Sequence, residues 1–116
     1  MALEVIKNVI WVKDMDRAIE FYERLFGLSL KFQTDHWSEL TFGESIVALH
    51  GERSDGAVDT GLSFQVSDAE ETVEHCTELG GRVVAPPKQR PGEPIILAHI
   101  EDPEQNVLMV TQWIGD

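Results

Sequence analysis

One pattern is written twice in this chain. VIWVKDMDRAIEFYERLFG begins at Val9 and LSFQVSDAEETVEHCTELGG at Leu62. Both pass from alternating apolar residues through an aspartate into a helix-like stretch closed by glycine. Asp14 and Asp68 set the offset at 54 residues (68 minus 14), and at that offset Ile10 meets Phe64, Val12 meets Val66, Ile19 meets Val73, Leu25 meets Leu79 and Gly27 meets Gly81. A chain of 116 residues has room for one compact domain, or for two small halves sharing a core, but not for two independent domains. Whatever the first half builds, the second is expected to build again.

In the first copy Asp14 can accept hydrogen bonds from the free N–H groups of a helix start. Met15, Ala18, Ile19, Tyr22, Leu25 and Phe26 then fall at helical spacing on one face, and Gly27 can take the left-handed terminal turn. In the second copy Ser67 and Glu70 match a Ser-x-x-Glu capping box. Ala69, Val73, Cys76 and Leu79 form the apolar stripe, and Asp68, Glu70, Glu71 and Glu74 crowd the positive end of the helix dipole. Short β-like runs follow each helix: LSLKFQ, WSELTF and SIVALH, then RVVA, PIILAHI and NVLMVTQW. GERSDGAVDTG at 51–61 is expected to link the halves, and APPKQRPGEP at 85–94 to form a long loop beside the sheet. The expectation is an α+β fold of two tandem βαβββ modules, about residues 1–52 and 60–116 of a single 1–116 domain. Their first strands and helices should superpose about a pseudo-twofold axis.

Composition narrows the function. No apolar run approaches the length of a membrane span, and MALEVIKNV places Glu and Lys where a signal peptide needs its apolar block, so a cytoplasmic protein is expected. Twenty-one acids against nine Lys plus Arg give a net charge of -12. That argues against nucleic acid and anionic membranes, which need clustered positive charge, and mildly favours a neutral or cationic ligand. The one cysteine, Cys76, lies on a helical stripe and is expected to be a small buried hydrophobe. No Gly-x-Ser-x-Gly elbow, phosphate-binding glycine loop or pair of catalytic carboxylates at a recognisable spacing is present.

The paired modules, the first motif carried by Asp14, Ala18, Phe21, Tyr22, Phe26, Gly27 and Leu28, and the late turn Glu101, Asp102, Pro103 and Asn106 together resemble the vicinal oxygen chelate superfamily. That group includes glyoxalase I, extradiol dioxygenases, fosfomycin-resistance transferases and bleomycin-resistance proteins. The chain departs from the pattern at Gln105, where a glycine usually precedes the asparagine; that turn should hold a non-glycine residue in a strained or altered geometry. The resemblance implies two modules around a cleft, commonly within a homodimer. Pairing would also cover sheet edges and an apolar face otherwise left to water.

Catalytic members of the superfamily hold a divalent ion at four strand positions. Carried over, these fall on Lys7, Gly61, Met109 and, in the SIVALH strand, Ala48, with His50 on the same face. A protonated lysine has no lone pair, glycine and alanine offer no donor, and thioether is a poor partner for hard cations. No metal and no cofactor are therefore expected. His50 and His99 end apolar strands and, with Glu39, could form another ligand set only if the fold brings them together.

Strand alternation predicts what lines the cleft instead. Lys7, Val9 and Trp11 face in from the first strand, Trp37 and Glu39 from the third, and His50 from the fourth. Ser63 and Gln65 follow from the fifth, then Met109, Thr111 and Trp113 from the last. Aromatic and apolar walls with a few polar points suit a small organic molecule. Each tryptophan has an alternative place in the core or at a dimer interface. The expected function is metal-independent binding of such a molecule, in the manner of bleomycin-resistance proteins. The rivals are a divergent lyase, isomerase or dioxygenase-type enzyme, and a dimeric accessory module with a vestigial cleft.

Overall fold

The computed structural model describes residues 2–52 and 56–116. The chain divides into two compact units, Met1–Asp55 and Gly56–Asp116. The first contains β1 (Lys7–Trp11), α1 (Met15–Phe26), β2 (Ser29–Phe32), β3 (Trp37–Phe42) and β4 (Ser45–His50). The second contains β5 (Val58–Gln65), α2 (Ala69–Glu78), β6 (Arg82–Gln89), β7 (Ile95–Glu101) and β8 (Asn106–Trp113). The first sheet has the order β1-β4-β3-β2 and the second β5-β8-β7-β6. In each, the first strand runs parallel to the last and the other pairings are antiparallel. The same βαβββ plan therefore appears twice, in two four-stranded mixed sheets, as the 54-residue repeat predicts. No helix among the described residues is long and apolar enough to cross a membrane.

Asp14 caps α1, its carboxylate accepting from Arg17 N at 3.1 Å, and Gly27 closes the helix at φ 69°. The predicted stripe is buried at Met15, Ala18, Ile19 and Tyr22, and Phe21 joins it. These side chains pack on β2, β3 and β4, where Leu40 and Leu49 are also inaccessible, as is Ile10 on β1. Each such large side chain contributes on the order of 1.5–3 kcal/mol. In the second unit α2 lies on β6, β7 and β8 through Ala69, Val73 and Cys76. Burial pushes the Cys76 thiol up to about 11, with the nearby Asp102 charge adding to the effect, so this cysteine is a packing residue.

Four expectations need correction. The cap of α2 is Asp68, accepting from Glu71 N at 3.1 Å, not the Ser67–Glu70 box. A carboxylate at the position matching Asp14 takes the role, and Ala69 N is satisfied by Gln112 Oε1 at 2.8 Å. The left-handed glycine after α2 is Gly80 (φ 92°), one residue before the counterpart of Gly27. Gly81 is needed for a different reason: a Cβ there would collide with Cys76 Sγ and stand 2.6 Å from Glu101 O. The segment 85–94 is not all loop, because β6 continues through Pro86 and Pro87 to Gln89. Two register shifts, at Val83/Ala85 and Ala85/Lys88, and the edge position of β6 let the prolines sit where no ladder N–H is required. Finally, the linker at 51–61 is shorter than expected, since β5 begins at Val58; residues 53–55 lie outside the described residues.

Gln105 adopts φ 68°, so the β7–β8 turn does hold a non-glycine residue in the left-handed region. Its backbone is committed on both sides, N–H to Asp102 O and carbonyl to Val58 N, each at 3.0 Å. Gln105→Gly should remove roughly 1 kcal/mol of strain and return part of it as chain entropy. A net gain of about 0.5 kcal/mol is expected in urea unfolding, and a loss would contradict the strain.

Candidate functional site

Register builds the site. Lys7, Val9 and Trp11 pair with Ile46, Ala48 and His50 across β1 and β4. Trp37 and Glu39 pair with His50 and Ala48 across β3 and β4. With alternation, Lys7, Val9, Trp11, Trp37, Glu39 and His50 share the face of the first sheet opposite the Ile10–Leu40–Leu49 side that meets α1. Phe42 has the parity of Leu40 yet is 69% exposed, so the buried side of β3 ends before the turn.

Glu39 is the centre of this face. Its side chain is only 2% exposed, yet it is ion-paired: Lys7 Nζ lies 2.7 Å from Oε2 and Lys31 Nζ 3.8 Å from Oε1. Trp37 Nε1 donates to Oε2 at 2.8 Å. The Lys7 hydrogen bond, followed by that of Trp37, holds the carboxyl below its ordinary value, overcoming the opposing effect of burial. Around it the His50 ring lies tilted against Trp11 at 4.1 Å and meets Trp37 edge-on at 5.8 Å. The Lys7 ammonium sits 5.8 Å from the Trp37 ring centroid, within cation–π range. His50 Nδ1 is buried and has no hydrogen-bond partner among the described residues.

The remaining predicted residues belong to the second sheet. Ser63 and Gln65 pair with Met109 and Thr111, and Trp113 shares their phase along β8. His99 lies opposite Met109 on the same face. Gly61 is not in regular strand: between Asp59 and Ser63 the register shifts, and Gly61 takes φ 72°. Asp59 Oδ1 accepts from Gly61 N at 3.1 Å, and the Thr60 hydroxyl donates to Val107 O at 2.8 Å. A groove of about 450 Å³ runs beside Pro86, Pro87, Lys88, Leu97 and His99.

The donor set does not fit the divalent ion that the fold's catalytic relatives use. Lys7 stands on the expected ligand face as a cation already bound to Glu39, and Ala48 and Met109 keep their strand positions but bring no suitable donor. Gly61 lies in a bulge. Among the described residues no three His, Cys, Asp or Glu side chains gather where they could share an ion.

Two residues of the first face escaped the sequence reading. Lys31 reaches Glu39, and Phe32 pairs opposite it, because β2 shifts register between Leu30 and Phe32. An irregularity of that kind interrupts the alternation that would have placed them.

The family model of the Glyoxalase/Bleomycin resistance protein/Dioxygenase superfamily matches residues 5–110, and the chain belongs to that superfamily. It is 30% identical over 118 residues to the glyoxalase domain-containing protein RDO1 of Mycosarcoma maydis. That match takes in 90% of this chain but 65% of the relative, so the chain spans less than two thirds of that protein's length. Among solved structures, hypothetical protein SA1046 from S. aureus is similar with a TM-score of 0.75 and 19% identity, covering 97% of this chain and 98% of the other. A superfamily member from Sphaerobacter thermophilus DSM 20745 gives 0.75 and 22%, covering 96% and 98%. At such identities the likeness speaks for the fold alone.

Proposed function

We propose that this protein binds a small organic molecule without a metal ion, using the face of the first sheet around Glu39. The observation that carries the reading is the Lys7–Glu39 ion pair: a fixed internal cation stands where a metal-dependent relative needs a ligand. Beside it, Trp11 (43% exposed), Trp37 and His50 offer aromatic surface to an organic ring. Ser63, Gln65, Met109, Thr111 and Trp113 are proposed as the corresponding lining of the second sheet. The working form is proposed to be a homodimer; sedimentation of a 13.0 kDa monomer at micromolar concentration would remove that part of the reading.

A true ligand at 100 times its Kd should stabilise the fold by about 2.7 kcal/mol, read as a raised melting temperature, and should change tryptophan fluorescence. Trp11→Ala should weaken binding roughly tenfold, from lost ring contact. If ligands found by a thermal-shift screen bind Trp11→Ala as well as the parent, this face is not the site. Stoichiometric Zn²⁺, Mn²⁺, Ni²⁺ or Fe²⁺ whose removal abolishes an activity would overturn the metal-free reading.

One observation favours a second reading, metal-free acid–base catalysis: the unpartnered Nδ1 of His50 beside the aromatic walls. Glu39 is poorly suited to the same role, because its cations and Trp37 make it a weak base. Turnover of a bound compound, lost in His50→Gln with binding retained, would distinguish catalysis from sequestration.

A further inference from the structure

The net charge of -12 favours a cationic ligand, but the charge within reach of a bound molecule is local, because ions screen the rest over about 8–10 Å. We infer that the ligand of the first sheet's face is a planar aromatic acid, its anionic group taken by the Lys7 and Lys31 ammonium groups and its ring laid against Trp11 and Trp37. The inference rests on the proposed binding role of this face.

The charged side chains gathered here are Lys7, Lys31 and Glu39, two positive and one negative, which leaves one positive charge. Their accessibility is unequal in a way that matters more than the sum. The Glu39 side chain is 2% exposed, while Lys7 is 36% and Lys31 55% exposed. Glu39 Oε2 already accepts from both Lys7 and Trp37, and Oε1 faces Lys31. An incoming cation would therefore find the carboxylate covered and two ammonium groups in front of it. An incoming anion would find N–H donors: an ammonium carries three, and the hydrogen bond to Glu39 uses one of those on Lys7. The Trp37 indole N–H is already given to Glu39, so that ring offers its surface rather than its donor.

Other acids bear on Lys31 rather than on Lys7. Glu4 and Glu44 line a hollow of about 830 Å³ at the β3–β4 turn end of the sheet, which Lys31 and Thr41 also border. Trp11, Trp37 and His50 stand at the opposite end of the strands, by register. Lys7 and Lys31 flank Glu39, and Lys7 also sits 5.8 Å from the Trp37 ring centroid, so the ring of an aromatic acid would point toward Trp11 while its charge stayed at the lysines.

Three probes of matched shape test this with the full chain: 2-naphthoate, 2-naphthylmethanol and 2-naphthylmethylammonium, measured by calorimetry and melting temperature. The expected result is 2-naphthoate bound at least tenfold more tightly than the ammonium probe, with affinity falling as salt rises. Lys31→Gln should weaken 2-naphthoate three- to tenfold and leave the alcohol unchanged, and Lys31→Glu should abolish the preference for the acid; an exposed surface lysine permits both changes without loss of fold. If the alcohol or the ammonium compound binds as tightly as the acid in a Trp11-dependent way, or if both Lys31 variants keep the parent's selectivity, the inference falls while the binding role stands. If none of the three raises the melting temperature, the inference and the proposed role of this face fall together.

Discussion

Asp102→Ala should destabilise the protein by about 3–4 kcal/mol, on the order of 10–15 °C in melting temperature for a chain of this size. The carboxylate organises the β7–β8 turn from inside. Its Oδ1 accepts from Glu104 N at 2.8 Å and Asn106 N at 2.9 Å, and its Oδ2 accepts from Asn106 Nδ2 at 2.9 Å. Asp102 is 3% exposed and Asn106 1%, so alanine would leave three donors facing a cavity instead of an oxygen. A buried donor left unmet costs roughly 1–3 kcal/mol, and the three are close enough that their costs will not simply add. Asp102→Asn keeps the shape and one acceptor oxygen but turns a donor toward Asn106, and should fall between the two. The measurement is the urea midpoint at constant slope. A shift below about 1 kcal/mol for the alanine variant would show that water replaces the carboxylate without loss.

Lys7→Met should cost about 2 kcal/mol at neutral pH, less than the 3–5 kcal/mol typical when a fully buried pair is broken, because Lys7 is partly exposed and Lys31 remains. Its pH dependence is the sharper test. The folded-state pKa of Glu39 is depressed below its ordinary value of 4.5, through Lys7 first and Trp37 second. A depressed carboxyl contributes stability that is complete above the unfolded pKa and is lost as pH falls through the folded one. The parent and Lys7→Met curves should thus stand furthest apart above about pH 5 and converge below the ordinary carboxylate range. Curves that stay parallel into acid would mean that Lys7 acts through packing alone.

The architecture was legible because it is written in periodicities that survive folding. The stripe Met15–Ala18–Ile19–Tyr22 has only one way to be buried, and its echo at Ala69–Val73–Cys76 declares the second module. The errors fall where tertiary placement outranks local pattern. Pro86 and Pro87 forbid a central strand but not a bulged edge strand, and nothing local tells edge from centre. Ser67 and Asp68 are both good caps, and it is the Asp68 carboxylate that meets Glu71 N. Alternation assigned Lys7, Trp37 and Glu39 to one face, yet their ion pair joins residues 32 apart in the chain and depends on the register of three strands. The aromatic wall was therefore visible in the sequence, whereas the charge state of its centre was not. That charge is the part with most to say about a ligand.

The proline pair on β6 also bears on what the second sheet refuses to do. A bare sheet edge is a template: another chain, or another copy of this one, can dock a strand there and extend the ladder indefinitely, as fibrils do. At Pro86 and Pro87 two successive amide hydrogens are missing, and the register shifts on either side of Ala85 break the spacing that an incoming strand would need. Because successive N–H groups of a strand point to opposite edges, the two prolines between them interrupt the donors on either side, and a strand arriving along β6 meets a broken ladder. The residues that make this stretch look unlike a strand thus let it be one safely, as the place where the hydrogen-bonded lattice of the sheet comes to an end.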